Sequence, residues 1–114
     1  MSHDPRKYLC DMQDRAKFVV EVLENRTCND LHNDRLLRSA VERELMALGE
    51  ALIQLHRVNP EIAERIDQWN DIMGFRHVLV HGYDILDMEI IWDVVKDDLP
   101  QLIEQLDSML SDKL

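Results

Sequence analysis

The segment Asp34–Arg57 reads DRLLRSAVERELMALGEALIQLHR, and it decides the fold. Apolar residues recur along it at steps of three and four, which is the spacing of one face of an α-helix; they are Leu37, Val41, Leu45, Leu48, Leu52 and Leu55. Most of the other positions hold good helix formers. The segment therefore predicts a long amphipathic helix whose apolar face must be covered by other helices.

One carboxylate interrupts the apolar face of this helix. At about 100° per residue, Glu44 projects between Val41 and Leu48. Burying a carboxylate without a partner is costly. Glu44 therefore either lies at the edge of the face and reaches water, or it has a partner in a functional site. In the second case we expect Glu44 to face Arg76 or His81 across the bundle.

A helix is also predicted before this segment. Asp4 can cap a helix and Pro5 is favoured in its first turn. Apolar residues then mark one helical face to about Asn25: Tyr8, Met12, Ala16, Val19, Val22 and Leu23. The polar segment 26–33 is expected to be a loop. It offers four candidates for the cap of the long helix, namely Asn29, Asp30, Asn33 and Asp34.

The second half of the chain predicts three further elements. Asn59 and Pro60 begin a short helix by the same cap-then-proline pattern. A central helix covers residues 69–80, and Gly82 is expected to end it. Asp87 can cap a last long element, which Pro100 must kink or split, since proline lacks the N–H and clashes with the preceding turn.

Together these elements predict an all-α fold, an up-and-down bundle of four main helices plus a short helix. The length of 114 residues suits a single domain over residues 1–114. The scarcity of Gly, Pro and aromatic residues also favours helices over a sheet with many turns.

The net charge of -10 argues against a general nucleic-acid coat protein, because nonspecific binding depends on Lys and Arg neutralising phosphates. It leaves room for a small basic cleft. No apolar run approaches the roughly 20 residues needed to span a bilayer, so we expect no membrane segment. Cys10 and Cys28 form no C-x-x-C and follow no signal segment, so we expect a cytoplasmic protein.

Residues 75–84 read FRHVLVHGYD and concentrate the chemistry of the chain. Arg76 and His81 are five apart, so on a regular helix they point about 140° apart. Tyr83 is seven from Arg76 and is nearly aligned with it if the helix persists past Gly82. One chain thus presents these groups around a helix end rather than as a tight triad. This favours a site that a second copy completes.

Arg76 and His81 suit phosphodiester chemistry. Arginine offers a planar, permanently charged fork for phosphate oxygens. A histidine near a helix C-terminus has its protonated form favoured by the helix dipole. In metal-independent RNA cleavage the ribose 2′-hydroxyl attacks the neighbouring phosphate, with histidine moving the proton and arginine stabilising the added negative charge.

Other interpretations of this stretch remain open. His77 and His81 have the spacing of two metal ligands on one helical face, but no Glu follows His77 and no third ligand is evident, so we expect no metal and no cofactor. His77 also fits a hydrogen-bonding role beside Arg76. The whole stretch fits, too, a plain core helix with a satisfied histidine. The remaining histidines have polar neighbours and are expected on the surface: His3, His32 and His56.

The sequence from Arg76 to Tyr83 resembles the R-x4-H-x-Y motif of HepT-like toxins in the HEPN superfamily. Two further blocks, VEREL at 41–45 and LGEA at 48–51, resemble the second helix of that family. IWDVV at 91–95 and DLP at 98–100 resemble its last helix. The resemblance thus covers nearly the whole chain.

This resemblance implies an all-α bundle that forms a homodimer with both motifs in a shared cleft. It implies that Arg76 and His81 are the catalytic pair of an endoribonuclease, the toxin of a type II toxin–antitoxin system. His77 occupies the position after the arginine, where a supporting polar residue is frequent. Tyr83 matches the tyrosine that a cognate minimal nucleotidyltransferase antitoxin AMPylates, and the added negative charge would repel RNA phosphates.

A second function class remains open. The chain could be a noncatalytic subunit that binds and positions a nucleotidyltransferase or its nucleotide. The net charge of -10 favours this alternative, since an acidic body suits a protein partner better than RNA.

Overall fold

A computed structural model describes residues 4–81 and 88–112. Seven α-helices lie in these ranges, the last two joined by a π-helical segment, Val94–Asp98: α1 (Pro5–Val22), α2 (Cys28–Asn33), α3 (Arg35–Val58), α4 (Pro60–Ala63), α5 (Trp69–His81), α6 (Met88–Asp93) and α7 (Leu99–Ser111). No strand occurs in either range. The all-α prediction is confirmed.

Three predicted helix starts are confirmed by their caps. The side chains of Asp4, Asp34 and Asn59 each accept a hydrogen bond from a backbone N–H two or three residues further on, at 3.0–3.1 Å. These bonds satisfy donors that a helix cannot pair internally. Of the four candidates for the cap of α3, the structure selects Asp34. The predicted roles of Gly82 and Asp87 lie outside the described residues.

The predicted loop over residues 26–33 is wrong, because most of it forms α2. Thr27 and Asp30 build a capping box: the Thr27 hydroxyl accepts from the Asp30 N–H at 3.1 Å, and the Asp30 carboxylate accepts from the Thr27 N–H at 2.8 Å. Leu31 anchors the helix in the core. A helix of six residues with one buried side chain has no apolar periodicity to detect.

The long helices pack side by side with alternating direction. At one end of α1, the Arg6 guanidinium donates to the carbonyl of Leu110 in α7 at 2.7 Å. At the other end, Lys96 Nζ donates to the carbonyl of Leu23 at 3.3 Å. These contacts make α1 and α7 antiparallel. α3 contacts α1 on one side and α5 on the other, and the predicted up-and-down bundle is confirmed.

The π-helical segment Val94–Asp98 accommodates Pro100 within the helical backbone. In a continuous α-helix Pro100 could not donate to the carbonyl of Lys96, and its ring would press against that carbonyl. The backbone instead shifts to the wider hydrogen-bonding pattern, in which the Leu99 N–H donates to the carbonyl of Val94. The predicted element is thus divided into α6 and α7.

The core is built from the faces predicted by periodicity. All six apolar residues of α3 that define its stripe are buried, and they pack against buried residues of the other long helices: Leu9, Met12, Ala16, Val19, Leu99, Leu102, Leu106 and Met109. Within the described residues no polar or charged residue is fully buried. No helix in the described ranges is long and apolar enough to cross a bilayer.

Candidate active site

Arg76 lies in α5 where this helix crosses α3, and a glycine makes the crossing possible. A Cβ built on Gly49 would lie 2.8 Å from Arg76 Cγ and closer still to Arg76 Cβ. Real side chains do not approach that closely, so only glycine permits this separation of the two helices. The stem of Arg76 therefore rests directly on the backbone of α3.

Beyond Gly49, the Arg76 guanidinium reaches a carboxylate on α3. Arg76 Nη2 lies 3.3 Å from Glu50 Oε2, with 32% of the Arg76 side chain and 39% of the Glu50 side chain exposed. An ion pair this exposed contributes little to stability. Arg76 Nε is buried and has no hydrogen-bond partner, the one such side-chain atom found within the described part of the chain.

The other residues of the predicted motif are only partly described. His77 is exposed next to Arg76. His81 is the last residue of α5, but its side chain and the whole of Tyr83 lie outside the described residues. No group of three metal-ligating side chains occurs in the part of the chain that the structure describes.

Glu44 does not pair with Arg76 but with Arg15, whereas the side chain of His81, its other expected partner, lies outside the described residues. Arg15 Nη1 of α1 donates to Glu44 Oε2 at 2.9 Å, and Arg15 Nε donates to Asp11 at 3.1 Å. Gly49 lies five residues after Glu44 and points about 140° away around α3. Glu44 thus faces α1, whereas Arg76 approaches from the opposite side of the helix.

The ion pairs of Arg15 with Asp11 and Glu44 favour the charged form of Arg15 in the folded protein. Burial lowers the pKa of Arg15, but the hydrogen bonds and negative charges of Asp11 and Glu44 outweigh it, so the pKa lies above its ordinary value. Glu44 is 22% exposed at its side chain. The carboxylate that interrupts the apolar stripe of α3 is therefore an ion-pair partner between α1 and α3.

His56 contacts the beginning of α5 and, with 29% of its side chain exposed, lies at the surface only in part. Its ring stacks on Trp69, the first residue of α5, with centroids 4.9 Å apart and planes 15° apart. His56 Nε2 is also hydrogen-bonded to Glu64 Oε2 at 2.8 Å. Together with the crossing at Gly49, this stack fixes how α5 lies on α3.

Glu50 is the residue near Arg76 that the sequence analysis missed. Two signals for it were present. First, a glycine inside a long predicted helix suggests that another part of the chain packs closely against the helix there. Second, Glu50 directly follows Gly49, so it lies next to any such contact. The sequence did not indicate which side chain makes the close approach.

A mainly apolar cavity of about 160 Å³ lies on another side of α5. Its lining includes Phe75 from α5 and Leu48 from α3, together with Asp71 and Asp98. Burial raises the pKa of Asp98, and so do the charges of its neighbours Asp97, Asp71 and Asp93. Ionised Asp98 therefore opposes folding.

We expect Asp98→Asn to raise the melting temperature at pH 7. The folded protein binds the Asp98 proton more tightly than the unfolded chain, so the stabilisation by the amide should shrink as pH falls through the raised pKa. It should vanish below the ordinary value of about 3.9. Thermal unfolding of both proteins from pH 7 to pH 3 measures this difference. Asp14→Asn removes an exposed carboxylate on α1 as a control, and an equal gain from it would refute a local cause.

The helical bundle and the R-x4-H sequence at the end of α5 define a HEPN-type protein. Residues 12–109 match the family model described as Ribonuclease HepT-like, and the chain belongs to that family.

Relatives of similar length support this assignment. A protein of Methanocaldococcus jannaschii, assigned as an RNase, is 28% identical over 106 residues, which cover 91% of this chain and 94% of the relative. One from Caldanaerobacter subterraneus, also assigned as an RNase, is 29% identical over 106 residues, covering 93% and 94%. One from Thermococcus cleftensis, assigned as ribonuclease HepT, is 28% identical over 106 residues, covering 90% and 92%. No solved structure matches the chain.

Proposed function

We propose that the protein is a metal-independent endoribonuclease that acts on cytoplasmic RNA as the toxin of a type II toxin–antitoxin system. The observation that carries this proposal is the placement of Arg76 in a chain of the HepT-like ribonuclease family. Its guanidinium is partly exposed at the α3–α5 crossing, and among the described residues it makes one ion-pair contact, with Glu50. A phosphate can therefore approach the positive charge of Arg76, which the carboxylate of Glu50 neutralises only in part.

The proposed reaction needs only groups that the chain provides. The ribose 2′-hydroxyl attacks the adjacent phosphorus, and His81 takes or returns the proton. The new P–O2′ bond forms as the P–O5′ bond breaks, which leaves a 2′,3′-cyclic phosphate and a 5′-hydroxyl. Arg76 stabilises the extra negative charge on the phosphate oxygens, and His77 serves as a hydrogen-bonding aide beside Arg76.

The direct test is to incubate the purified protein with cellular RNA in excess EDTA and to sequence the RNA ends. We expect fragments with 2′,3′-cyclic phosphate and 5′-hydroxyl ends. A double variant, Arg76→Ala with His81→Ala, purified in the same way, is the matched blank. Equal cleavage by the blank would assign the activity to a contaminant, and no cleavage by the native protein would refute the proposal.

We propose further that the site belongs to a homodimer, since Arg76 and His81 point in different directions on one helix. If the two residues of one site come from different chains, an Arg76→Ala chain mixed with a His81→Ala chain forms heterodimers in which one site is intact. Co-refolding the two variants should then restore part of the activity. Failure to restore any activity, with heterodimers present, would place both residues of a site on one chain.

Tyr83 is the proposed control point of this activity. We expect coexpression with a minimal nucleotidyltransferase antitoxin to add one adenylyl group to Tyr83 and to suppress cleavage, because the added phosphate repels RNA. Tyr83→Phe should keep the fold but remain active and toxic in the presence of the partner. Intact-mass and peptide mass spectrometry measure the modification. An adenylyl group on Tyr8 or on any other residue would contradict the assignment.

A noncatalytic role as the partner subunit of a nucleotidyltransferase is the second candidate, and the net charge of -10 favours it. Expression of the chain alone separates the two. Growth arrest that depends on His81 supports the ribonuclease. Harmless expression, together with stable binding of the nucleotidyltransferase, supports the subunit.

A further inference from the structure

We propose that Glu50 is a positioning residue that holds the Arg76 guanidinium in its working orientation, a role that rests on the proposed ribonuclease function. The contact is made by Arg76 Nη2 and Glu50 Oε2, 3.3 Å apart, on the face of α3 next to Gly49. Glu50 does not have to touch RNA in this role. It acts through Arg76.

The position of Arg76 is not one that the side chain would adopt for its own hydrogen bonding. Its Nε is buried without a hydrogen-bond partner, and an unmet buried donor costs free energy. A free arginine side chain would rotate to expose Nε to water. Something must therefore hold it, and the contacts that do so are the packing of its stem on Gly49 and the ion pair with Glu50.

The form of the ion pair suits positioning more than stability. Strong arginine–carboxylate pairs are bidentate, whereas this pair has one contact between two partly exposed side chains. Arginine carries five N–H donors, so a single contact through Nη2 orients the group and leaves most of its donor capacity for a phosphate. A carboxylate that held both terminal nitrogens would compete with the substrate.

The two residues also come from different helices, which gives the contact a geometric role. Glu50 belongs to α3, the long helix at the centre of the bundle, whereas Arg76 belongs to α5. The ion pair thereby fixes the orientation of the guanidinium relative to α3, the helix with the most extensive packing. Loss of the contact with Glu50 should reduce the rate of the chemical step, since small displacements of a charged group strongly affect transition-state stabilisation.

The test compares Glu50→Ala and Glu50→Gln by steady-state cleavage of a defined RNA. We expect Glu50→Ala to lower kcat by about 10- to 100-fold with KM little changed. Glu50→Gln should retain more of kcat than Glu50→Ala, since it keeps the length of the side chain and an amide oxygen beside Nη2. Glu104→Ala, which removes an exposed acid from α7, is the matched control. A KM effect without a kcat effect, or wild-type kcat in Glu50→Ala, would overturn the inference.

A double variant distinguishes positioning from a general effect on the fold. If Glu50 acts through Arg76, Glu50→Ala should have no further effect in an Arg76→Ala background, because the group it positions is gone. A merely structural role predicts the same fractional loss in both backgrounds. That second result would refute positioning even if all variants fold.

An NMR measurement tests the inference independently of catalysis. The Nε–H resonance of Arg76, assigned by its loss in Arg76→Lys, should be shifted and protected from exchange in the native protein and in Glu50→Gln. It should move to the position of free arginine in Glu50→Ala but not in Glu104→Ala. If the native protein cleaves no RNA, the proposed function fails while this resonance still decides the inference. Arg76-dependent cleavage with an unchanged resonance in Glu50→Ala would refute the inference alone.

Discussion

Replacing His81 by alanine is expected to lower the rate of RNA cleavage by roughly 10²- to 10⁴-fold, the range that general acid–base catalysis contributes. The expected loss is in kcat, because the imidazole moves a proton during bond formation and cleavage. Initial rates on a labelled RNA, measured in EDTA, give the value. His32→Ala, which removes an exposed histidine from α2, should leave the rate unchanged.

Added imidazole provides a sharper test of the same role. If His81 transfers protons, free imidazole should restore part of the activity of His81→Ala and none of the activity of Arg76→Ala. A His81→Ala protein that cleaves at the native rate would remove His81 from the mechanism. A folded His81→Ala protein whose activity imidazole leaves unchanged would argue that the side chain has a structural role.

Gly49→Ala and Gly74→Ala are expected to change the stability of the protein in opposite directions. At Gly49 the new methyl group meets the stem of Arg76, and overpacking of this kind costs about 1–3 kcal/mol. The better helix propensity of alanine offsets at most about 1 kcal/mol of this. At Gly74, also in a helix, nothing lies within 4 Å of the new methyl group. Only the gain of about 0.5–1 kcal/mol remains there.

Urea unfolding of the two variants measures this pair of effects, and RNA cleavage gives a second readout. Gly49→Ala must push α5 away from α3 or displace Arg76, so its activity should fall more than its stability explains. Gly74→Ala should cleave RNA at the native rate. Stabilisation by both substitutions would show that α5 does not lie against the backbone of α3 in solution.

The long helices were predictable from the sequence because each carries an extended apolar face and a recognisable start. Asp34 and Asn59 cap as their patterns predict, and Pro100 divides the last element. The helix at Cys28–Asn33 was missed because its stability comes from a capping box and one buried leucine. Both signals are local and carry no periodicity.

Partners across the bundle were harder to predict than helices. A helical wheel gives the direction of Glu44 relative to its own helix, but it does not tell which neighbouring helix lies there, and the partner proved to be Arg15. His56 has polar neighbours in sequence, yet its spatial neighbour is Trp69, thirteen positions further on. The motif located Arg76, whereas Glu50 became visible only when α3 and α5 were placed together.

The bond between Arg6 and the carbonyl of Leu110 has a practical consequence for protein engineering. Arg6 also donates to the carbonyl of Asp112 at 3.3 Å, so the first turn of α1 lies beside the end of α7. A unit with such adjacent ends can be spliced into a surface loop of a carrier protein through two short linkers. The bundle can thus be inserted into a carrier protein without straining its fold.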